Sequence, residues 1–107
     1  MPINVWSATQ LQQQLQQATE LQLLDVRDDH EYAFAHIPGS VLIPLRQLPA
    51  KYSDLDPQKH WVVICHHGVR SWHACQFLAT VGFDNLYNLQ GGIDAWSVAC
   101  DSSIPRY

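Results

Sequence analysis

Val62-Val63-Ile64-Cys65-His66-His67-Gly68-Val69-Arg70-Ser71 joins an apolar run to a cysteine, a polar turn with one glycine, and the start of a helical pattern. Read in order, that is a strand, a nucleophile and an anion-binding turn. In open α/β sheets ligands lie beyond the carboxyl ends of strands, and a helix N-terminus placed there favours a thiolate over a thiol. Cys65 is therefore the candidate nucleophile. Gly68 reaches backbone angles closed to other residues, so the amides of His66, His67, Gly68, Val69 and Arg70 can turn inward around a sulfur or an oxyanion. Arg70 adds permanent positive charge, and His66, His67 and His73 add more when protonated.

Working outward, Trp61 to Ile64 reads as the central strand and Ser71 as the cap of the helix that follows the loop. The spacing of Ala74, Cys75, Leu78 and Val81 predicts an amphipathic helix that Gly82 ends. Cys75 falls on its apolar face and reads as a buried structural thiol. Upstream, Leu21-Gln22-Leu23-Leu24-Asp25-Val26 is nearly continuous in apolar character, as in a strand buried on both faces. It runs into charge. Asp25 and Arg27 are expected to fix the strand end and the neighbouring loop through charge-assisted hydrogen bonds, a scaffold role. Pro38-Gly39 marks a turn that the His36 imidazole ties to the backbone. Val41 to Ile43 is then a short strand stopped by Pro44, Arg46 to Tyr52 a short helix, and Asp54 to Lys59 a loop.

At the amino end, Ile3 to Trp6 reads as a first strand, and Ser7 with Gln10 forms a capping-box pattern for a helix. Leu11, Leu15 and Ala18 share one face of it, while Gln10, Gln12, Gln13, Gln14, Gln16 and Gln17 make a solvated surface. Asn85 to Leu89 alternates and reads as the last strand. Gly91-Gly92 turns the chain sharply beside the Cys65 loop, and Ile93, Ala95 and Trp96 pin a final helix to the core. The tail from Ser97 carries little signal, and Cys100 in it reads as an incidental thiol.

Strands alternating with helices predict an α/β fold, a mainly parallel sheet with helices on both faces. The 107 residues suit one domain, with a core over about 3–98 and a tail over 99–107. Hydrophobic residues at 47% and charged residues at 15% exclude a disordered chain. A formal charge of −4, with six scattered Lys and Arg, excludes nucleic acid as a main partner. Three cysteines without a CxxC suggest neither a disulfide framework nor a zinc ribbon, so a reducing cytoplasm is expected. No signal-peptide pattern begins the chain and no apolar run approaches about 18 residues, so no membrane partner is expected. Adjacent residues on a tight turn do not point at one ion, so Cys65, His66 and His67 are not read as metal ligands.

The loop Cys65-His66-His67-Gly68-Val69-Arg70-Ser71 resembles the active-site loop of the rhodanese family of sulfurtransferases. Leu24-Asp25-Val26-Arg27-Asp28 with Glu31-Tyr32 and His36-Ile37-Pro38-Gly39-Ser40 resembles the family's amino-terminal signature, and Gly91-Gly92-Ile93-Asp94-Ala95-Trp96 its carboxyl-terminal one. Three ordered motifs from Leu23 to Trp96 make the resemblance specific. It implies a five-stranded rhodanese fold in which Asp25, Arg27, His36, Gly91, Gly92 and Trp96 support the loop. It also implies that Cys65 carries a transferable sulfur as a covalent persulfide, with no other cofactor.

Sulfur transfer needs a thiolate that attacks the donor's outer sulfur and holds it as a terminal persulfide, an anion that inward amides stabilise without supplying a proton. The expected partners are a small donor such as thiosulfate and a thiophilic acceptor: cyanide, a thiol or a protein. The rivals are a persulfide relay without turnover, an interaction module of the same fold, and a cysteine phosphatase or arsenate reductase. The spacing Cys-x4-Arg is one residue shorter than the Cys-x5-Arg cradle of cysteine phosphatases, so a tetrahedral oxyanion fits poorly. His67 stands where thiosulfate-using relatives carry a permanent cation, and Glu31 adds negative charge, so thiosulfate is expected to be a poor or surrogate donor. Two observations would count against a thiolate carrier: a Cys65 side chain buried from solvent, or a loop with its amides facing outward.

Overall fold

The computed structural model of the chain describes residues 3–17 and 20–107. Five parallel strands form one sheet in the order β1-β5-β4-β2-β3, where β1 is Asn4–Trp6, β2 Leu21–Asp25, β3 Val41–Leu42, β4 His60–Ile64 and β5 Leu86–Leu89. The apolar run before Cys65 is thus the middle strand. Parallel neighbours require crossovers, and these contain α1 (Ala8–Gln17), α2 (Asp29–Phe34), α3 (Leu48–Lys51) and α4 (Val69–Thr80), while α5 (Gly92–Ala99) follows the last strand.

Because side chains alternate along a strand, β4 divides its burial between two cores. Trp61, Val63 and Cys65 face Leu48 of α3 and Ala74, Cys75 and Leu78 of α4. Val62 and Ile64 face the other way, toward Ala8 and Leu11 of α1 and Ile93 and Trp96 of α5. Helices cover both faces. At about 25 cal/mol per Å² of apolar area removed from water, each of the buried valine, leucine and isoleucine side chains contributes about 1.5–3 kcal/mol before entropy is counted.

Local chemistry sets the boundaries. Ser7 N–H donates to Gln10 Oε1 at 2.8 Å and Gln10 N–H to Ser7 Oγ at 3.1 Å, the reciprocal cap expected of the pair. Leu15 departs from expectation at 37% exposure, since α1 buries only Ala8 and Leu11 where it packs against α5; Ala18 lies outside the described residues. Phe83 N–H donates to Leu78 O at 3.1 Å across Gly82, closing α4 where a stop was expected. The helix expected from Arg46 to Tyr52 is broken into a 3₁₀ turn at Leu45–Gln47, α3, and a second 3₁₀ turn at Tyr52–Asp54.

The tail is a larger correction. Ile104 is buried with the α1 and α5 core, Ser97 Oγ donates to Ile104 O at 2.6 Å, and Arg106 pairs with Asp94 at 2.8 Å. A single apolar residue among polar ones has no periodicity to betray it. No helix among the described residues is long and apolar enough to cross a membrane.

Candidate active site

Cys65 follows β4 directly, and its surroundings come from the ends of β2 and β5. Val26 N–H donates to Ile64 O at 2.9 Å, beside the end of β2, and Ile93 N–H in the first turn of α5 donates to Cys65 O at 2.9 Å, so the strand tip and the loop are held from both sides. Gly68 N–H donates to Cys65 Sγ at 3.0 Å, so the loop folds inward around the sulfur. Gly68 has φ +103°, and a side chain on it would press on Gly91 N and Leu89 O at 3.3 Å. Only glycine meets both conditions without strain.

Ser71 does not cap α4, as expected of it; Gly68 occupies that position and Ser71 lies buried in the first turn. Its Oγ accepts from the Cys65 thiol at 3.3 Å and its hydroxyl donates to Asn88 Oδ1. Asn88 Nδ2 in turn donates to Gly68 O at 3.1 Å. Because Gly68 O can only accept, the Asn88 amide must present its nitrogen there and its oxygen to Ser71. The sequence reading missed Asn88. Its signal was a polar residue at a buried, alternate position of β5.

One of the two adverse observations is met. Cys65 is only 1% exposed, with its sulfur beneath the loop and beside Ser71, whereas an accessible thiol was expected. The other is not, since the Gly68 amide faces the sulfur. Gly92 explains how closely the loop is held: a Cβ on it would lie 2.3 Å from Cys65 O and 2.4 Å from His66 O.

Arg70 was expected to offer its charge to the cradle. Instead Nη1 and Nη2 donate to Glu31 Oε1 and Oε2 at 2.7 and 2.9 Å, and Glu31 lies on α2. The Arg70 hydrogen bond, opposed by desolvation, holds the Glu31 carboxyl far below the usual range, and the same bond raises Arg70. Tyr107 joins the pair: its hydroxyl donates to Glu31 Oε2 at 2.7 Å and accepts from Arg27 Nη1 at 2.9 Å. Burial, with Glu31 reinforcing it, pushes the Tyr107 hydroxyl up to about 12. Nothing in the tail's sequence pointed to this residue.

Asp25 and Arg27 act where expected, at the end of β2. Arg27 is fully buried and donates from Nε and Nη2 to Asp25 at 2.9 and 2.7 Å, and from Nη2 to Ala35 O at 2.6 Å. His36 Nδ1 lies 2.9 Å from Tyr32 O and its ring stacks on Tyr32, which ties the Pro38-Gly39 turn to α2. Trp96 is buried on the opposite core from Cys75. Cys75 is fully buried, and desolvation pushes its thiol up to about 12. Cys100 donates to Ala8 O at 3.4 Å, and burial also raises it.

Tyr107, His66 and His67 form a column of stacked rings with centroids 3.8 Å apart at each step. Burial, then the neighbouring His67, lowers the His66 pKa and favours its neutral form. His66, His67 and Asp94 each offer a ligand atom within 4.8 Å of the others. The His66 and His67 rings, however, stack on each other with their planes 29° apart, and Arg106 engages both Asp94 oxygens at 2.8 and 3.1 Å. Val69 and His67 side chains are exposed, so from these two residues only backbone is available to a cradle.

A sheet of this order with a cysteine loop beyond its middle strand, closed by two glycines, defines a class of thiol-bearing α/β domain. The family model for the rhodanese-like domain matches residues 7–99, and the chain belongs to that family. It is 42% identical over 92 residues to Rhodanese-like/PpiC domain-containing protein 12, chloroplastic, of Arabidopsis thaliana, covering 82% of this chain but only 31% of that protein. It is 35% identical over 86 residues to the thiosulfate sulfurtransferase GlpE of Shewanella oneidensis, covering 80% and 85% of the two chains. The crystal structure of a rhodanese-like domain protein from Staphylococcus aureus superposes with a TM-score of 0.85 at 28% identity, covering 98% of this chain and 99% of that one.

Proposed function

We propose that the protein is a sulfurtransferase that moves a sulfane sulfur from a donor to a thiophilic acceptor through a persulfide on Cys65. The observation that carries this reading is the Gly68 N–H donated to Cys65 Sγ, because it aims a fixed backbone dipole at the atom on which negative charge develops. Membership of a family with a relative named thiosulfate sulfurtransferase supports the same chemistry. In the first step Cys65 Sγ forms a bond to the donor's outer sulfur, and the donor's own bond to that sulfur breaks with its electron pair. In the second, an acceptor nucleophile takes the sulfur and Cys65 leaves as thiolate. The amides of His66 to Arg70 hold the negative charge between the steps, and the alternation gives ping-pong kinetics.

Burial of Cys65 adds a requirement: the loop must open for the donor to reach Sγ. Intact mass after incubation with thiosulfate tests the reading. A gain of about 32 Da that a reductant reverses is expected, the mass of one sulfur held covalently on the nucleophile. In Cys65→Ser the gain and all turnover should disappear while the fold persists. Turnover surviving that substitution would refute the assignment, whereas Cys75→Ser and Cys100→Ser should retain activity.

A further inference from the structure

We propose that Glu31 sets the donor specificity of the Cys65 site: by neutralising Arg70 it tunes the mouth toward organic persulfides, which carry at most a single charge on the transferred sulfur, and away from dianions such as thiosulfate. The inference rests on the sulfurtransferase reading and names its substrate class. The first argument is the charge balance around the loop. Arg70 is the only arginine or lysine in the loop, in α2 or in α5. Both of its terminal nitrogens are on Glu31, in a bidentate geometry that carboxylate and guanidinium match well. Arg27 is buried against Asp25, and Arg106 is held by Asp94. The guanidinium charges near the loop therefore each have a carboxylate beside them, and a dianion meets a mouth with little net attraction.

The second argument is shape. Beside the Glu31–Arg70 pair lies an open concavity of about 400 Å³ lined by His30, Glu31, Phe34 and Tyr107. Phe34 is 56% and Tyr107 43% exposed, and their rings meet edge to face at 5.9 Å. Tyr107 also stacks on His66 of the loop at 3.8 Å, so the concavity borders the Cys65 loop, and its walls give the carbon skeleton of an organic donor apolar surface that thiosulfate cannot use. With a persulfide RS–SH, the Cys65 thiolate bonds to the outer sulfur, the RS–S bond breaks, and RS⁻ leaves with the electron pair. The proton stays on the transferred sulfur, and no oxidant or reductant is consumed.

The test separates charge from turnover. Rates of Cys65 alkylation, read by mass, are compared for anionic iodoacetate and neutral iodoacetamide at low salt. Glu31→Gln should raise the iodoacetate-to-iodoacetamide ratio several-fold, while Arg70→Gln, which leaves Glu31 uncompensated, should lower it. If one variant fails to fold, the opposite shift in the other still decides. In parallel, kcat/KM is measured with thiosulfate and with 2-hydroxyethyl persulfide. Wild type should favour the persulfide, and Glu31→Gln should gain several-fold with thiosulfate, through KM, with a smaller change for the persulfide. An alkylation ratio that moves in neither variant overturns the role of Glu31, as does an equal loss with both donors. Wild type that transfers sulfur from neither donor overturns the sulfurtransferase reading instead, and the alkylation ratio still judges Glu31.

Discussion

Gly92 has φ +60° and no space for a side chain, because Cys65 O and His66 O lie where a Cβ would go. Gly92→Ala should therefore lose about 2–5 kcal/mol, from left-handed backbone strain plus overpacking, and detach the loop from α5. Urea denaturation checks this, and a loss under about 1 kcal/mol would show that the contact relaxes. Cys65, the loop glycine and Gly91-Gly92 were legible as residues because their chemistry is unusual at those positions. Asn88 and Tyr107 were not. An asparagine in an alternating strand and a tyrosine in a polar tail gain meaning only from what folds against them: Ser71 and Gly68 for one, His66, Arg27 and Glu31 for the other.

Among elements, the end of β2 depends on a buried ion pair. Arg27→Met leaves Asp25 as an uncompensated buried anion and releases Ala35 O and the Tyr107 hydroxyl. A loss of about 3–5 kcal/mol is expected from thermal or urea unfolding, since removing one partner of such a pair strands the other. A loss below about 1 kcal/mol would mean that water reaches Asp25 in the fold. At the exposed start of α1, Ser7→Ala should lose only about 1 kcal/mol, the usual scale for one helix cap. The contrast was readable in part: the capping box is a local pattern, but the reach of Arg27 to Ala35 and Tyr107 needs α2 and the tail in place.

Across the whole molecule, the Glu31–Arg70–Tyr107 cluster joins α2, α4 and the tail, so it should show in acid stability. The folded Glu31 carboxyl titrates far below its ordinary value of 4.5. Its contribution is therefore present in full above about 4.5 and is lost as pH falls from there toward the folded pKa. The stability gap between wild type and Glu31→Gln should narrow between pH 7 and pH 3, measured by urea midpoints at each pH. A constant gap would mean that Glu31 is not coupled to the fold through its charge. The sequence by itself determined the parallel α/β architecture, the middle strand and the cysteine at its tip, because apolar periodicity, caps and glycines act over a few residues. Only the tertiary structure decided that Cys65 lies beneath its loop, that Arg70 is neutralised by a carboxylate 39 residues away, and that Ile104 and Tyr107 belong to the core and the site. Those outcomes come from distant elements competing for the same charges and the same space, and no local pattern encodes the winner.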